Sequence, residues 1–454
     1  MITVVYAREF APKSFSKSVF LAGPSPRDEE TRSWRPDMIK ALEQAGYDGV
    51  VFSPEPRDCQ FEAHDKTYWI RHRWSEDMYI DQVQWEKIHL DMADRIIFWV
   101  PREMSKMPAM TTNVEFGRYV QSGRAIYGRP HSAPKCTYLD WMYENQTKNA
   151  PLDFLEDVAK KVVEEIGPGV ERSEGERSVP LDVWKSPQFR EWYKALKSAG
   201  NRLDDAEVLW MFKIKTKVFA YALKVKVWVE CEQRYKQNEF IISRMDTAVV
   251  VPFYRANQFL DTKIVMVREF RSPVRNSLGM VMELPGGSAV DAPPDCALAS
   301  HELQEETGLV IDPTRFYNMG TRQLAATLST HCSHVFTVHL NEHELQQMEK
   351  AAAEKTFFGV ANETEKTYIE VRTIRQILET EVEIVMVSAS WCGPCQKMLP
   401  FIDELKKQGI NIVAIESDKE PCAFTVSGYP TFIFTVDGVE KSRSQAGTQH
   451  SKTK

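Results

Sequence analysis

Residues 283–309, ELPGGSAVDAPPDCALASHELQEETGL, predict the element around which the central part of the chain is organised. The pattern predicts a strand, a glycine turn and then a helix that begins after two prolines. Asp291 or Asp295 can cap the start of that helix. The helix is predicted to run to about Thr307, because Gly308 lies where a left-handed C-cap belongs.

Three carboxylates share one face of this predicted helix. Glu302, Glu305 and Glu306 are spaced i, i+3 and i+4, which places them side by side. Carboxylates crowded in this way repel one another unless a divalent cation neutralises them, and hard oxygen ligands select Mg²⁺ or Mn²⁺. We therefore predict a metal site of these three glutamates that holds a diphosphate. The alternative is a solvated acidic helix face.

The segment resembles the Nudix box, G-x5-E-x7-R-E-U-x-E-E-x-G-U, when it is aligned on Gly287. The matching positions are Glu302, Leu303, Glu305, Glu306, Gly308 and Leu309. The first Glu of the box is Pro293 here, and its Arg is His301. The resemblance implies an α/β/α Nudix sandwich over residues 181–380.

The residues just before the box extend this resemblance to one branch of the Nudix family. The motif REFRSPV, which starts at Arg268, is followed by MELPGG, and together they resemble the ADP-ribose and nucleoside-diphosphate-sugar pyrophosphatases. The resemblance implies that Arg268 and Arg271 contact phosphate or adenine and that Gly286 and Gly287 approach the substrate. In that branch an N-terminal sheet supports substrate binding and dimerisation, so a homodimer through this domain is expected.

The same resemblance places an acidic loop before a late strand. By position, Glu363 or Glu365 is the base that activates water, and one of the box glutamates is an alternative. The implied reaction is attack of a metal-activated water on a diphosphate, which would convert ADP-ribose to AMP and ribose 5-phosphate.

The composition describes an ordinary α/β multi-domain protein. A chain of 454 residues suggests about three domains, and 43% hydrophobic with 27% charged residues is typical of soluble proteins. The net charge of −7 argues against nucleic acid as a partner. Apolar runs are too short to span a membrane, and eight mostly scattered cysteines suggest a reducing compartment. A cytoplasmic location is therefore expected.

Strands and helices alternate over residues 1–165. The predicted strands are 19–23, 49–54, 95–100 and 125–128, and the predicted helices are 36–46, 85–93 and 113–122. This alternation predicts a doubly wound parallel sheet, whose ligands bind outside the carboxyl ends of the strands. The polar and turn residues assigned to those ends are Gly23, Pro24, Glu55, Asp91, Asp94, Asn113 and Glu115.

Three short motifs in this region resemble nucleoside 2-deoxyribosyltransferases. They are Leu-Ala-Gly-Pro, Asp-Met-Ala-Asp and Asn-Val-Glu-Phe-Gly. The resemblance implies that Glu115 attacks the anomeric carbon while Asp91 or Asp94 protonates the departing base. Gly23, Pro24 and Asn113 would bind the substrate. The alternative is a domain with a capping Glu and core-lining Asp that only binds a nucleoside or sugar phosphate.

Residues 166–180 are rich in glycine, proline and charge, which predicts a linker. Residues 381–454 contain Trp391-Cys392-Gly-Pro-Cys395 between a strand and a helix, and later Pro430. This part resembles a short thioredoxin-like α/β domain. The resemblance implies a lowered pKa for Cys392, a resolving role for Cys395, a cis peptide before Pro430 and a thiol-disulfide partner protein.

The thioredoxin resemblance departs from its family at Met386, which occupies the position of a buried Asp. Taken together, the three parts predict an enzyme of nucleotide metabolism, with a Mg²⁺-dependent pyrophosphohydrolase as its main activity. One alternative is an enzyme that cleaves or transfers N-glycosides, with the Nudix part as an accessory. Another is a nucleotide-sensing or redox-docking protein with little turnover.

Overall fold

The computed structural model describes residues 1–27, 31–57, 76–276, 279–359, 366–378, 382–408, 410–436 and 439–445. The chain forms two compact units, Met1–Met245 with Gln323–His331 and Asp246–Arg322 with Cys332–Lys454. The first unit therefore continues well beyond residue 165, the end predicted for the N-terminal domain. Among the described residues, no helix combines the length and the apolarity needed to cross a bilayer.

A parallel sheet organises the first part of the chain. Its strands among the described residues are β1 (Thr3–Tyr6), β3 (Ser18–Ala22), β4 (Val50–Ser53), β5 (Arg95–Trp99) and β6 (Ala125–Gly128), in the order β1-β4-β3-β5-β6. Every neighbouring pair is parallel. The prediction of a parallel sheet is therefore confirmed.

Helices cover both faces of this sheet. They are α1 (Arg35–Gln44), α2 (Glu76–Met92), α3 (Met110–Tyr119), α4 (Thr137–Thr147) and α5 (Leu155–Ile166). Adjacent residues of one strand point to opposite faces, so Phe20 packs in the core with α2 and α3, whereas Leu21 packs in the core with α1 and α5. This arrangement makes the sheet doubly wound.

The stretch predicted to be a linker is packed structure. Strand β2 (Ser14–Phe15) pairs antiparallel with β7 (Arg172–Ser173), and Arg172 is fully buried. A composition rich in glycine, proline and charge indicated flexibility, but the charge at Arg172 is neutralised inside the fold by Asp94.

An antiparallel sheet follows two helices. The helices are α6 (Leu181–Trp184) and α7 (Pro187–Ser198), and the strands are β8 (Arg202–Ile214), β9 (Lys217–Val229) and β10 (Arg234–Arg244), in the order β10-β9-β8. Alternate residues of β9, such as Tyr221 and Leu223, are buried with Phe189 of α7 in one core. This burial of alternate residues matches the two-residue period of a β-strand.

A mixed sheet carries the glycine loop and the acidic helix. Its strands are β11 (Thr247–Tyr254), β12 (Lys263–Phe270), β13 (Met280–Glu283), β14 (Gly286–Gly287), β15 (Tyr317–Gln323), β16 (Cys332–His339), β17 (Phe357–Phe358) and β18 (Thr367–Thr373). The main order is β15-β16-β11-β12-β18-β17, with β13 on β12 and β14 on β11. Strands β11 and β16 are parallel, whereas β12 is antiparallel to β18.

The helices of this region are α8 (Cys296–Thr307), α9 (Glu342–Ala353) and α10 (Ile374–Leu378). Leu303 of α8 and Met348 of α9 are buried in one core with strand residues such as Val250 and Val267. A mixed α/β region is therefore present, and the Nudix sandwich stays a prediction.

The last region is a small α/β fold. It contains β19 (Val382–Ser388), α11 (Gly393–Lys407), β20 (Ile412–Glu416), β21 (Thr431–Val436) and β22 (Val439–Gln445), with strand order β20-β19-β21-β22. Strand β19 is parallel to β20 and antiparallel to β21. The crossover helix α11 follows β19, with Cys392 as its N-cap and Cys395 in its first turn.

Candidate active sites

A cavity of about 200 Å³ opens at the carboxyl ends of β3 and β4. Gly23 and Pro24, which follow β3, line it together with Pro54, which follows β4, and Glu115 of α3. Doubly wound sheets bind their ligands at this edge. The structure thus brings Gly23, Pro24 and Glu115 together, as the sequence predicted.

The loop after β3 can form only because Gly23 lacks a side chain. A Cβ at this position would lie 2.2 Å from the carbonyl oxygen of Trp99 and 2.6 Å from Cζ2 of Trp34. The indole Nε1 of Trp34 donates a hydrogen bond to the carbonyl oxygen of Pro24 at 3.0 Å. The first wall of the cavity is therefore tightly packed against its neighbours.

A buried ion pair supports the same loop. Nη1 of Arg35 lies 2.5 Å from Oε1 of Glu55, and both side chains are almost fully buried. Nη2 of Arg35 donates to the carbonyl oxygen of Gly23 at 2.7 Å, and Nε donates to that of Leu21 at 3.2 Å. The sequence placed Glu55 at this edge but did not identify Arg35 as its partner. An Arg in the first turn of a helix next to the β3 loop was the available signal.

Two carboxyl groups line the cavity. Burial first, and then the charge of Glu86, raise the pKa of Glu115 to about 8, against the opposing charge of Arg35. Nε2 of Gln82 donates to Oε1 of Glu86 at 2.7 Å and so orients that carboxylate. Gln82 and Glu86 lie one turn apart on α2, a spacing that could have indicated Glu86 from the sequence.

The prediction that Asp91 and Asp94 lie at the carboxyl ends of the strands is wrong. Both precede β5, and the start of a parallel strand lies at the edge opposite to the cavity. Asp94 is fully buried, binds Arg172 through both carboxylate oxygens and accepts the backbone N–H of Ser18 at 2.8 Å. Its satisfied contacts are those of a structural ion pair.

Asp91 has structural contacts as well. It accepts the hydroxyl of Tyr119 at 2.6 Å and lies 2.7 Å from Nζ of Lys87. Neither Asp91 nor Asp94 is therefore placed to protonate a base in the cavity.

The helix that carries Glu115 starts earlier than predicted. It begins at Met110 after Ala109, whose φ is 59°, and no side chain caps it. The predicted first-turn Asn113 lies in the second turn and accepts a hydrogen bond from Arg102. Glu115 therefore reaches the cavity from the body of α3.

In the mixed-sheet region, helix α8 has the two caps that the sequence predicted. Asp295 caps the helix, since its carboxylate accepts the backbone N–H groups of Ala297 and Leu298. Gly308 is the left-handed C-cap, with a φ of 73°. A Cβ at Gly287 would lie 2.3 Å from Oε2 of Glu302, so a side chain there would displace the end of the Glu302 side chain.

Donor atoms that could hold a metal ion lie together on α8. One atom each from His301, Glu302 and Glu305 lies within 4.8 Å of the others. Nδ1 of His301 is 3.3 Å from Oε2 of Glu305. The His that departs from the Nudix box therefore contacts one of the box glutamates. Two carboxylates and an imidazole match the donors that Mn²⁺ accepts, and the carboxylates match Mg²⁺.

The third glutamate, Glu306, is more buried than the other two. Burial first, and then the nearby carboxylates, raise its pKa to about 8, against a hydrogen bond from the backbone N–H of Gly286. That N–H donates to Oε2 of Glu306 at 2.9 Å. Glu306 thereby joins α8 to the glycine loop.

The predicted phosphate-binding arginines already contact carboxylates. Nε of Arg268 donates to Glu370 at 2.9 Å, and Arg271 lies 2.7 Å from Glu283 and 2.8 Å from Glu269. These are ion pairs next to the acidic helix. The base candidates Glu363 and Glu365 lie outside the described residues.

The C-terminal cysteines form a disulfide at the start of α11. Cys392 and Cys395 are bonded to each other, and Sγ of Cys392 accepts the backbone N–H of Cys395 at 3.2 Å. The Tyr429–Pro430 peptide bond is cis, as the resemblance implied. Trp391 is exposed next to the disulfide, with its ring 5.6 Å from that of Tyr429.

The residue that replaces the family's buried Asp packs as a core residue. Met386 is fully buried and contacts the cluster that contains Ile402 and Ile412.

Comparisons with known proteins support the resemblances described for the N-terminal and C-terminal parts of the chain. A family model described as nucleoside 2-deoxyribosyltransferase like matches residues 16–133, and a thioredoxin model matches residues 364–453. Thioredoxin of Rickettsia typhi is 29% identical over 85 residues, which are 17% of this chain and 80% of that protein.

Thioredoxin Y1 of Arabidopsis thaliana chloroplasts is 39% identical over 56 residues, which are 11% of this chain and 33% of the relative. A solved thioredoxin of Fasciola hepatica is 29% identical, with a TM-score of 0.14, over 15% of this chain and 69% of that chain. That overlap is too small to inform the fold. The chain contains an N-terminal nucleoside 2-deoxyribosyltransferase-like domain and a C-terminal thioredoxin domain.

Proposed function

We propose that the N-terminal cavity cleaves or transfers the N-glycosidic bond of a nucleoside. The main support is the pair Glu86 and Glu115, two carboxyl groups that line one cavity at the carboxyl ends of parallel strands. Glu115 has a pKa of about 8 because of its burial and of the Glu86 charge, so the pair retains a proton at neutral pH. Glycoside cleavage needs this combination of one carboxylate and one carboxylic acid.

The reactive form has the shared proton on Glu86 and a negative charge on Glu115. The bond between C1′ and the base nitrogen breaks, and its electron pair leaves with the base, which takes the proton from Glu86. A carboxylate oxygen of Glu115 forms a bond to C1′. Water or a second base then attacks C1′ and gives a proton back to Glu86, which releases Glu115. Glu86 therefore takes the role that the sequence assigned to Asp91 or Asp94.

The buried Arg35–Glu55 pair has a positioning role in this proposal. Arg35 holds the carbonyl groups of Leu21 and Gly23 and thereby fixes the loop that forms one wall. Its positive charge also favours ionisation of Glu115. A fixed wall keeps the sugar in an orientation in which C1′ faces the nucleophile.

The test is release of free base from 2′-deoxynucleosides by the full chain, with and without an acceptor base. Glu115→Gln preserves the shape of the side chain and should lower the rate by at least about 100-fold. Glu103→Gln changes an exposed glutamate of the same domain and should leave the rate unchanged. Equal rates in both variants would remove Glu115 from the mechanism, and no base release by the unmodified chain would reject the activity.

A second activity, hydrolysis of a nucleoside diphosphate derivative, is supported by the donor cluster on α8. Glu302 and Glu305 would hold Mg²⁺ or Mn²⁺, with His301 as a third donor for Mn²⁺. Such a cation supplies positive charge that offsets the charge of a diphosphate. Glu306 fixes the glycine loop to the helix through the N–H of Gly286. An ADP-ribose-like substrate would give AMP and ribose 5-phosphate.

The second activity is tested by AMP release from ADP-ribose, NAD, FAD and nucleotide sugars with Mg²⁺ or Mn²⁺. Glu302→Gln removes one proposed ligand and should lower the rate by about 100-fold or more. Glu354→Gln changes an exposed glutamate at the end of α9 and serves as the control. A rate that is insensitive to both Glu302→Gln and chelation of the metal would reject the site.

The C-terminal disulfide supports thiol-disulfide exchange with a protein partner. Cys392 lies at the N-terminus of α11, where the positive end of the helix favours a thiolate. Reduction of insulin in the presence of dithiothreitol, compared with Cys392→Ser, tests this activity. Stimulation that survives in the variant would reject Cys392 as the attacking thiol.

A further inference from the structure

Two arginines, Arg8 and Arg27, line the cavity without a role in the chemistry proposed above. Arg8 follows β1, and Arg27 lies in the connection between β3 and α1. Within the described part of the chain, no carboxylate forms an ion pair with either guanidinium. A cavity that also contains Glu86 and Glu115 thus has additional positive charge on its wall.

The backbone of Arg8 is in an unusual conformation. Its φ is 67°, in the left-handed region that side chains with a Cβ rarely adopt. Glycine or asparagine would form this turn with less strain. A strained residue with a long cationic side chain at a cavity is a pattern found at ligand-binding positions.

Arg35 differs from these two arginines in its contacts. Its guanidinium is committed to Glu55 and to backbone carbonyls, and its charge acts on Glu115. Arg8 and Arg27 line the same cavity from other segments of the chain, one after β1 and the other after β3.

We propose that Arg8 and Arg27 bind a phosphate on the sugar of the substrate, so that the cavity takes a nucleoside 5′-monophosphate. This inference rests on the N-glycoside cleavage proposed above. In a nucleotide, the base is attached to C1′ and the phosphate is attached through C5′ to C4′, so the two groups are carried by the ring carbons on either side of the ring oxygen. A nucleotide can therefore contact Arg8 and Arg27 with its phosphate while C1′ faces Glu115.

The charges of the cavity favour a phosphate bound at Arg8 and Arg27 over a phosphate bound near the two carboxyl groups. Guanidinium groups bind phosphate oxygens through paired N–H donors, and such bonds are strongest away from water. A phosphate close to Glu86 and Glu115 would be repelled by a negative charge. Arg8 and Arg27 supply the positive charge that a phosphate in this cavity needs.

The experiment compares kcat/KM for base release from a 2′-deoxynucleoside and from its 5′-monophosphate, using the full chain. The unmodified chain should prefer the monophosphate by about tenfold or more, the usual effect of a hydrogen bond to a charged group. Arg8→Gln and Arg27→Gln should each reduce that preference, because they lower kcat/KM for the monophosphate more than kcat/KM for the nucleoside. Arg32→Gln, an exposed arginine paired with Asp37, is the matched control.

Ribose 5-phosphate and inorganic phosphate are added as competitors, because they share the phosphate but not the base. Inhibition of monophosphate cleavage by ribose 5-phosphate that is lost in Arg8→Gln supports the subsite. Equal kcat/KM for nucleoside and monophosphate in the unmodified chain overturns it and leaves the glycosidase intact. If Arg8→Gln does not fold, Arg8→Gly, which suits the positive φ, replaces it.

If neither substrate is cleaved, binding is measured by calorimetry with the deoxynucleoside 5′-monophosphate and with the deoxynucleoside. Tighter binding of the monophosphate that is lost in Arg8→Gln supports the phosphate subsite and rejects N-glycoside cleavage. Equal binding of the two compounds, or no binding, overturns the subsite.

Discussion

Glu115 in the parallel-sheet domain and Glu306 in the mixed-sheet region are both glutamates whose pKa is raised to about 8 by burial. Glu115 lines a cavity together with Glu86. Glu306 is bonded to the backbone of Gly286 and lies next to the carboxylate of Glu302. The same raised pKa therefore accompanies the proposed proton-donor pair in one region and the proposed cation site in the other.

A third carboxylate, Asp94, shows what separates structural groups from reactive ones. It is fully buried, but Arg172 neutralises it, and Ser18 and Leu181 donate hydrogen bonds to it. Within the described residues, no cation forms an ion pair with Glu115, which lines a cavity. The surroundings of a buried carboxylate, rather than burial itself, thus distinguish the two kinds of group.

The largest expected effect concerns this structural pair. Arg172→Met leaves Asp94 buried without a cation and should lower the free energy of unfolding of the first unit by about 3–5 kcal/mol. Arg32→Met removes an exposed ion pair with Asp37 and should change it by less than about 1 kcal/mol. Urea denaturation of both variants measures the difference. Similar denaturation midpoints for the two variants would mean that the burial of Asp94 does not depend on its ion pair with Arg172.

Glu86→Gln is expected to lower base release by about 100-fold or more, because the departing base loses its proton donor. The effect should nearly vanish with a 7-methylguanine deoxynucleoside, whose base is already cationic and needs no proton. Base release is followed by chromatography for both substrates. An equal loss with both would assign Glu86 a binding role in place of the acid role.

The dependence on pH follows from the raised pKa of Glu115. The pair retains one proton below pH about 8 and loses it above, so kcat/KM for base release should fall as pH rises through about 8. The expected decrease is about tenfold per pH unit, since one proton is lost. A rate that keeps rising beyond that pH would show that the pair needs no proton, which contradicts the shared-proton mechanism.

The smallest expected effect concerns the end of the acidic helix. Gly308→Ala should cost about 1–2 kcal/mol from the positive φ. A further cost is expected because the new Cβ would lie 2.5 Å from the ring of Phe358. Gly46→Ala is the control, because Gly46 also has a positive φ but no heavy atom within 4 Å of the added Cβ. Denaturation midpoints that shift equally would mean that Phe358 moves freely.

Local patterns in the sequence predicted much of this architecture. Alternating apolar strands and helices gave the parallel sheet, and the Asp295 and Gly308 caps fixed both ends of α8. These features depend on neighbours in the chain, which the sequence contains. Glu115 lines the cavity at the edge of the sheet to which the sequence assigned it, and its role there stays a prediction.

The failures concern residues whose partners are distant in the chain. Asp91 and Asp94 were assigned to the wrong edge because they precede β5, and Arg172, the partner of Asp94, lies in a stretch whose composition suggested a linker. Glu86 was missed because the sequence does not show which face of α2 borders the cavity. The Arg35–Glu55 pair was missed because the sequence does not show that the start of α1 contacts the segment after β4.

The most direct test of the account is to identify the atom that attacks C1′. The Glu86→Gln variant is mixed with the 7-methylguanine deoxynucleoside, and the reaction is stopped with acid. The protein is then digested, and its peptides are analysed by mass spectrometry. We predict a deoxyribosyl ester on Glu115, because the cationic base leaves without Glu86 whereas water attack on the ester is slowed. Release of the base with an adduct on another residue, or with none, would contradict the mechanism.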